Sequence, residues 1–495
     1  MKRLIGLVVI VCCVVLAVLY GMERNSLRAV TLTSPHNTAM HNRVDIVLEK
    51  PAPVYIEYTE TATGESFRTR TSAADTLHHL DLLLLKANTE YRYRVVIDNL
   101  FRQQSKELTF KTREQSPWLE NHWFNENHPH DTTALGDGMI LLCFGRLPGY
   151  MMLIDKEGEV RWYWQTDDIG VRAASITPRG TLLAMLRPFV KDVIDDNPMT
   201  PEEVRNDEHK KPMRRGSIGF AGGTGLAEVS LTGDLLWRID MDKLHADEKD
   251  LQVIHHDVLM DQNHHIHTLY RPKKIATFPV DGKLVTDTLG GDGILVLDTL
   301  GNVLKRWSAW DVWDVAKDPY VAEYRYDRFH INGLCFDKDS NYLLSAPIED
   351  QIWKVNKKGE LEWRFGRAGD FEMDTAAYFS FQHAPLIMDN GDLMLFDNGL
   401  HQQRSGAKVF RLDEKNRKAE TVMNVPMPAD KYTSRMGNAQ LLPNGNLLQC
   451  SSKTGSVVVT DPSGQVLWES VMYFAPYRAI YVPMTMFESY FTPID

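Results

Sequence analysis

Cysteine is scarce: five in 495 residues, with Cys12 and Cys13 inside the N-terminal apolar run. Cys143, Cys335 and Cys450 remain, odd in number, widely spaced and set in apolar strand-like runs. That excludes a disulfide framework and a zinc signature, and the fold must hold by packing. Helical periodicity of useful length is missing after the N-terminus. So is a basic block: the net charge is -11, and no Lys/Arg run is long enough to follow a nucleic-acid backbone. Two catalytic signatures are absent as well. Phe220-Ala221-Gly222-Gly223-Thr224-Gly225 is glycine-rich but lacks the Gly-Lys-Ser/Thr of a phosphate loop, and no Gly-x-Ser-x-Gly elbow occurs.

What is present begins with an apolar N-terminus. Lys2 and Arg3 precede residues 4–20, seventeen in a row without a charge, before Gly21-Met22-Glu23-Arg24. Residues 1–24 therefore read as a Sec-type signal or a short membrane anchor. No small-x-small cleavage site follows, which favours an uncleaved anchor, and Cys12 and Cys13 lack the small residue expected before a lipidated cysteine. The positive flank leaves the N-terminus in the cytoplasm and puts the rest outside.

The chain is too long for one small core and calls for several domains or a large repetitive fold. Residues 27–114 form a compact all-β stretch, with alternation in Val54-Tyr55-Ile56-Glu57-Tyr58 and around Tyr91-Arg92-Tyr93-Arg94-Val95. Its Asn88-Thr89-Glu90-Tyr91 corner and closing Thr109-Phe110-Lys111-Thr112 resemble a fibronectin type III-like sandwich. A linker from Ser116-Pro117-Trp118 ends near Ala134.

From residue 135 to 495 the chain repeats. An apolar strand, an Asp or Ser turn with Gly, and a strand carrying Trp recur at Gly158/Trp162, Gly233/Trp237, Gly301/Trp307, Gly359/Trp363 and Gly464/Trp468. Val409-Phe410-Arg411-Leu412-Asp413 is a degenerate copy lacking both. Each copy follows its own first hairpin, turning at Gly136-Asp137-Gly138, Pro178-Arg179-Gly180, Asp261-Gln262-Asn263, Asp337-Lys338-Asp339, Asp389-Asn390-Gly391 and Pro443-Asn444-Gly445. Four strands per unit and six units predict an all-β fold, a six-bladed β-propeller behind the small sandwich. Insertions at 188–216, 271–290 and 308–328 interrupt the blades. Loops this long serve as lids, binding surfaces or homodimer contacts. The last carries Trp310, Trp313, Tyr320, Tyr324 and Tyr326, which either suit a flat aromatic ligand or pack the loop down.

Three first hairpins start with histidine. His383 leads the pair joined at Asp389-Asn390-Gly391, His255-His256-Asp257 leads another, and Phe329-His330-Ile331-Asn332 a third. Starts of first strands lie at one mouth of a propeller's channel, so these imidazoles converge, and Asn332 projects to the same side as His330. Such a cluster supplies acid, base or nucleophile. Arg146, Arg187 and Arg271 stand just after the first hairpins of three blades, where the others have Ile348, Asn398 and Ser452. Arginine there would bind a sulfate or phosphate. The His265/His267 pair sits beyond its turn, away from the other histidines, so no metal site is assigned.

These residues resemble those of the bacterial arylsulfate sulfotransferases, periplasmic enzymes built from a small β-sandwich and a six-bladed propeller. Phe381-Gln382-His383 with Asp389-Asn390-Gly391 and Leu395-Phe396-Asp397-Asn398-Gly399 carries the resemblance most specifically. It implies that His383 is the transiently sulfated nucleophile. Asp327-Arg328-Phe329-His330-Ile331-Asn332 matches the motif whose His and Asn hold the sulfuryl group. His255-His256-Asp257 matches the third, with His256 preferred over His255. One departure is clear. The family's fourth-blade Arg is absent from Leu344-Ser345-Ala346-Pro347-Ile348-Glu349-Asp350, so either another Arg replaces it, with Arg271 or Arg146 best placed, or the activity has changed. The family's disulfide also has no counterpart.

The implied reaction is a ping-pong transfer from a phenolic sulfate ester to a second phenol, with no cofactor. A neutral His383 is required, so activity is expected to fall below about pH 6.5. Two other classes compete: a non-catalytic envelope propeller that binds a partner or glycan, and a propeller enzyme with a quinone or metal cofactor.

Overall fold

The computed structural model describes residues 2–35, 38–117, 119, 122–123, 129–188, 198–206 and 222–494. Most of the 188–216 insertion lies outside the described residues, as do Trp118, Phe220 and Ala221. Beyond the N-terminal helix the described chain is all-β, built from antiparallel sheets with a few short helices. It divides into two compact units: Met1–Ser116 with Val160–Tyr163 and Met484–Asp495, and Pro117–Glu159 with Trp164–Pro483.

The first unit starts with the helix Lys2–Glu23. Among the described residues no helix is long and apolar enough to cross a membrane. Strands Leu27–Thr33, Asn42–Ala52 and Asp75–Leu82 form one sheet, and Val54–Glu60, Ser66–Thr69 and Glu90–Ile97 lead the other. Alternation puts Val44 and Ile46 of the first sheet and Ile56, Tyr58, Tyr93 and Val95 of the second into one core. The corner has a specific cause: Asn88 adopts φ 52°, and Tyr91 Oη accepts the Lys86 N–H at 2.9 Å. The repeat pattern did not anticipate one feature. The last strand, Phe491–Ile494, pairs with Ser66–Thr69 and so belongs with this unit.

Among the described residues of the second unit the repeats become six sheets built on four strands each, in chain succession in five of them. The second runs Gly170–Ile176, Leu182–Arg187, Gly225–Val229, Leu235–Asp240, and the third Ile254–Met260, Ile266–Tyr270, Gly293–Leu297, Val303–Ser308. The fourth runs Gly333–Phe336, Tyr342–Ala346, Gln351–Val355, Leu361–Gly366. The fifth is His383–Ile387, Leu393–Asp397, Gly406–Asp413, Lys418–Pro426, and the sixth Ala439–Leu441, Leu447–Ser451, Ser456–Thr460, Val466–Met472. Two short strands add to edges: Gly222–Gly223 to the third and His122–Trp123 to the sixth.

The first sheet departs from expectation. Residues 132–137 are turns, and the strand ahead of Met139–Phe144 is Ala479–Val482, from the far end of the chain. Its outward-facing donors are met by the sixth sheet: Asn438 Oδ1 accepts the Ala479 N–H and Gln440 Oε1 the Tyr481 N–H, each at 2.8 Å. Leading strands meet from the second sheet to the fifth, the sixth sheet's meets the fifth sheet's Leu393–Asp397 and also Ala479–Val482, and Met139–Phe144 meets the second sheet's, so the succession returns on itself.

The recurrent turn explains the repeat signature. Asp298 Oδ1 accepts the N–H of Leu300 and of Asn302 at 2.9 Å, and Asp461 does the same for Ser463 and Gln465. The glycine at the fourth position is needed twice over. Gly359 has φ 92°, and a Cβ there would meet Trp307 at 2.9 Å. Trp307 Nε1–H donates to the Gly359 carbonyl at 2.9 Å, and Trp468 Nε1–H donates to that of Lys156 at 2.8 Å. These two Trp side chains thus dock on the next sheet's turn, and Trp468 links the sixth sheet to the first, while Trp237 donates to Glu228 of its own sheet at 2.6 Å.

Of the insertions, 271–290 is a β-hairpin of Lys273–Val280 with Lys283–Gly290. In 308–328 the aromatics pack inward at their first half: Trp310 meets Phe329 edge-on at 4.7 Å and Trp313 stacks on Trp353 at 5.3 Å.

Candidate active site

His255, His256 and His383 stand at the start of leading strands, and His330 three residues ahead of one. Register shifts fall between His255 and Val258 and between His383 and Leu386, with a matching shift at Val171/Ala173 beside Arg172. Around them the backbone is left-handed at five residues with side chains: His256 (φ 60°), His330 (51°), Phe381 (55°), Ala384 (49°) and Met436 (60°). Such conformations cost about 1–3 kcal/mol each and persist where surroundings over-determine them, commonly at functional sites. For His330 this corrects the sequence reading. His330 and Asn332 do not share the face of an extended strand; they precede Gly333–Phe336, and Asn332 N–H donates to the Ser345 carbonyl at 3.1 Å.

The rings form one contiguous cluster. His255 and His256 touch through their Nδ1 atoms at 2.7 Å, the His256 and His330 rings lie 5.3 Å apart, and Phe381 links His330 (6.0 Å) to His383 (6.2 Å). His255, His256 and His383 are buried. The His330 side chain is 27% exposed, so it is the imidazole an incoming molecule meets first.

The surroundings of His383 fix its tautomer. Asn398 donates through Nδ2 to the carbonyls of Thr433 and Met436, both at 2.9 Å, which leaves Oδ1 as acceptor. His383 Nδ1 lies 2.7 Å from that oxygen and 3.2 Å from the Phe381 carbonyl, so Nδ1 carries the proton. The lone pair is on Nε2, where it accepts the Met436 N–H at 3.2 Å. Burial pushes the His383 pKa down to about 3, against the pull of Asn398. The ring is a neutral base with its lone pair at a defined atom.

His330 is the opposite case. Burial disfavours its charge, but Asp327, 2.5 Å from Nδ1, outweighs that and raises its pKa above the ordinary value. Asp327 also pairs with Arg271 Nη2 at 3.1 Å. Despite burial, Arg271 and His330 hold the Asp327 carboxyl well below the usual range. Deeper in, Asp292 Oδ1 lies 3.3 Å from His255 Nε2, close enough to pair though not aligned for a hydrogen bond, while its Oδ2 accepts the Ile331 N–H at 3.1 Å. Burial and then Asp327 push Asp292 up to about 6; burial and then Arg271 push His255 down to about 3. Burial and His255 also press His256 well below 6.5.

The structure brings His255, His256, His330, Asn332, His383 and Arg271 together. Arg271 ion-pairs inside the cluster with Asp327, and Arg146 lies half-buried in the turn after Met139–Phe144. The acids that replace a fourth-sheet arginine are occupied: Glu349 pairs with Arg328 Nη1 at 2.5 Å, and Asp350 Oδ1 accepts the Phe381 N–H at 2.9 Å. Among the described residues no group of three or more His, Cys, Asp or Glu side chains could hold a metal ion. Sequence reasoning missed Arg478, whose guanidinium binds both oxygens of Asp257, with Nη2 to Oδ2 at 3.0 Å. The signal was Tyr477-Arg478 directly before Ala479-Ile480-Tyr481-Val482, the register that the histidines occupy in other sheets.

No curated protein matches the chain. Similar solved structures include a protein of unknown function from Bacteroides caccae, at 12% identity and TM-score 0.40, covering 70% of this chain and 99% of that one. Virginiamycin B lyase from Staphylococcus aureus follows at 10% and 0.31, with 91% and 99% covered. A gluconolactonase from Xanthomonas campestris stands at 12% and 0.32, with 71% and 97% covered. At these identities the likenesses say nothing of what this chain does. A family model described as Arylsulfotransferase (ASST) matches residues 125–473, most of the chain and all three histidine motifs, and the chain belongs to that family.

Proposed function

We propose that this arylsulfotransferase moves a sulfuryl group between phenols through a sulfo-histidine at His383, in a six-bladed propeller. Six four-stranded sheets that return on themselves support the blade count. The observation that carries the chemistry is the forced tautomer of His383, with Nδ1–H on Asn398 and the lone pair on Nε2.

In the first half-reaction Nε2 attacks the sulfur of a phenolic sulfate, the S–O(aryl) bond breaks, and the electron pair leaves on the phenolate. His330, held protonated by Asp327, gives the phenolate its proton. The sulfo-imidazolium keeps its Nδ1–H on Asn398. The Met436 N–H, freed from Nε2, becomes a donor for a sulfuryl oxygen. A second phenol then gives its proton to His330 and takes the group, which restores His383. His256 and Asn332 flank the transfer, and His255 orients His256 through the Nδ1 contact. Arg271 acts through Asp327, not by itself on the anion. A non-catalytic reading drew its motive from the missing fourth-sheet arginine, and Arg271 and Arg478 within the cluster remove that motive.

The test is incubation with a chromogenic aryl sulfate and a phenol, followed by intact-mass measurement. The parent should turn over and gain the mass of one sulfuryl group. His383→Asn should lose both while keeping its melting temperature; an Asn variant that still exchanged sulfate at the parent rate would end the assignment.

A further inference from the structure

Arg478 ties together two of the three histidine motifs, through Asp257 and Asn332. It is carried at the start of the closing strand. Both oxygens of Asp257 face its guanidinium, and Nη2 also donates to the Asn332 carbonyl at 3.2 Å. Asp257 is itself fixed, because its Oδ2 accepts the Leu334 N–H at 2.8 Å. The guanidinium is thus pinned to the residue after His256 and to the residue two beyond His330. Its charge also reaches His383, where it helps keep the imidazole neutral.

Two further facts separate Arg478 from a plain structural ion pair. Its Nε is buried without an acceptor and the Tyr477 hydroxyl lies beside the guanidinium, so donors at this end of the cluster remain for an anion. Of the neighbouring cations, Arg271 is committed to Asp327 and hence to the His330 acid, and Arg172 lies against Met436 Sδ at 3.4 Å and over the Tyr477 ring at 4.5 Å. A monoanionic sulfuryl group passing over neutral His383 and His256 still needs a fixed positive charge.

We propose that Arg478 is the cation that binds and orients the transferring sulfuryl group, with Asp257 as its positioning residue. This rests on the sulfotransfer reading, so its test has an arm that needs no turnover. In the full chain, inorganic sulfate binding is measured by calorimetry beside kcat, KM and melting temperature. Arg478→Lys keeps the charge opposite Asp257 but loses the planar fork. It should melt near the parent, lose kcat by about 10²–10³-fold, and bind sulfate at least tenfold more weakly. Arg478→Gly should regain part of its turnover when guanidinium ion is added, which a merely structural arginine would not show. Should the Gly variant not fold, the Lys variant decides alone. Parental kcat and sulfate affinity in Arg478→Lys would overturn the inference and leave His383 standing. A parent without turnover, but with sulfate binding that depends on Arg478, would support this site and sink the sulfotransfer reading.

Discussion

At the scale of single residues, the electrostatics revise the pH dependence expected from composition. An unperturbed histidine nucleophile would protonate near pH 6.5 and lose activity below it. His383 instead falls to about 3, chiefly by burial, so it stays neutral throughout the ordinary range. The group whose titration limits the reaction is His330, raised by Asp327. Its acid form is present below its raised pKa and is lost as pH rises through it. With a donor ester of a poorly acidic phenol, the rate of enzyme sulfation should therefore decline on the alkaline side, with no decline near 6.5 from His383. His330→Gln should lower that rate by roughly 10²–10⁴-fold and flatten the alkaline limb. A steep loss between pH 7 and 6 in a rapid-quench series would contradict this assignment.

At the scale of elements, the closing strand decides both stability and site. Ala479 and Tyr481 turn their N–H groups toward Asn438 and Gln440, so alternation turns the Ile480 N–H toward Leu141 in the paired strand. Ile480→Pro removes that donor and leaves a buried carbonyl unpaired, at a cost of at least about 1–3 kcal/mol. Melting curves should show one cooperative transition shifted down, and turnover should fall further than stability explains because Arg478 and Tyr477 precede the strand. An unchanged melting temperature would mean that the strand is dispensable.

At the scale of the whole molecule, we propose that residues 4–20 tether the protein to the outer face of the cytoplasmic membrane. Residues 4–20 hold no charge, and Val8, Ile10, Val14 and Leu16 of their helix are exposed. Fractionation should place the expressed full chain with the membrane, its active site accessible from the periplasmic side. A mature N-terminus near Ser26 would show a cleaved signal instead.

Much of this was legible locally. The Asp-x-x-Gly turns, the docking Trp and the first hairpins are short-range devices, each carried within a few residues, so the repeat and the all-β class could be read directly. So could the convergence of His255, His256, His330 and His383, because equivalent positions in successive copies must come together. The sequence alone could not show that the first sheet borrows Ala479–Val482 from the chain end, since strand pairing over that separation leaves no local mark. Arg478 stands in the register of the histidines, but that register acquires meaning only once Ala479–Val482 is paired with the first sheet. Nor could it show which imidazole is charged. His383 and His330 are chemically identical in sequence, and only folding sets one beside Asn398 and the other beside Asp327, where burial and a single carboxylate drive their proton affinities apart.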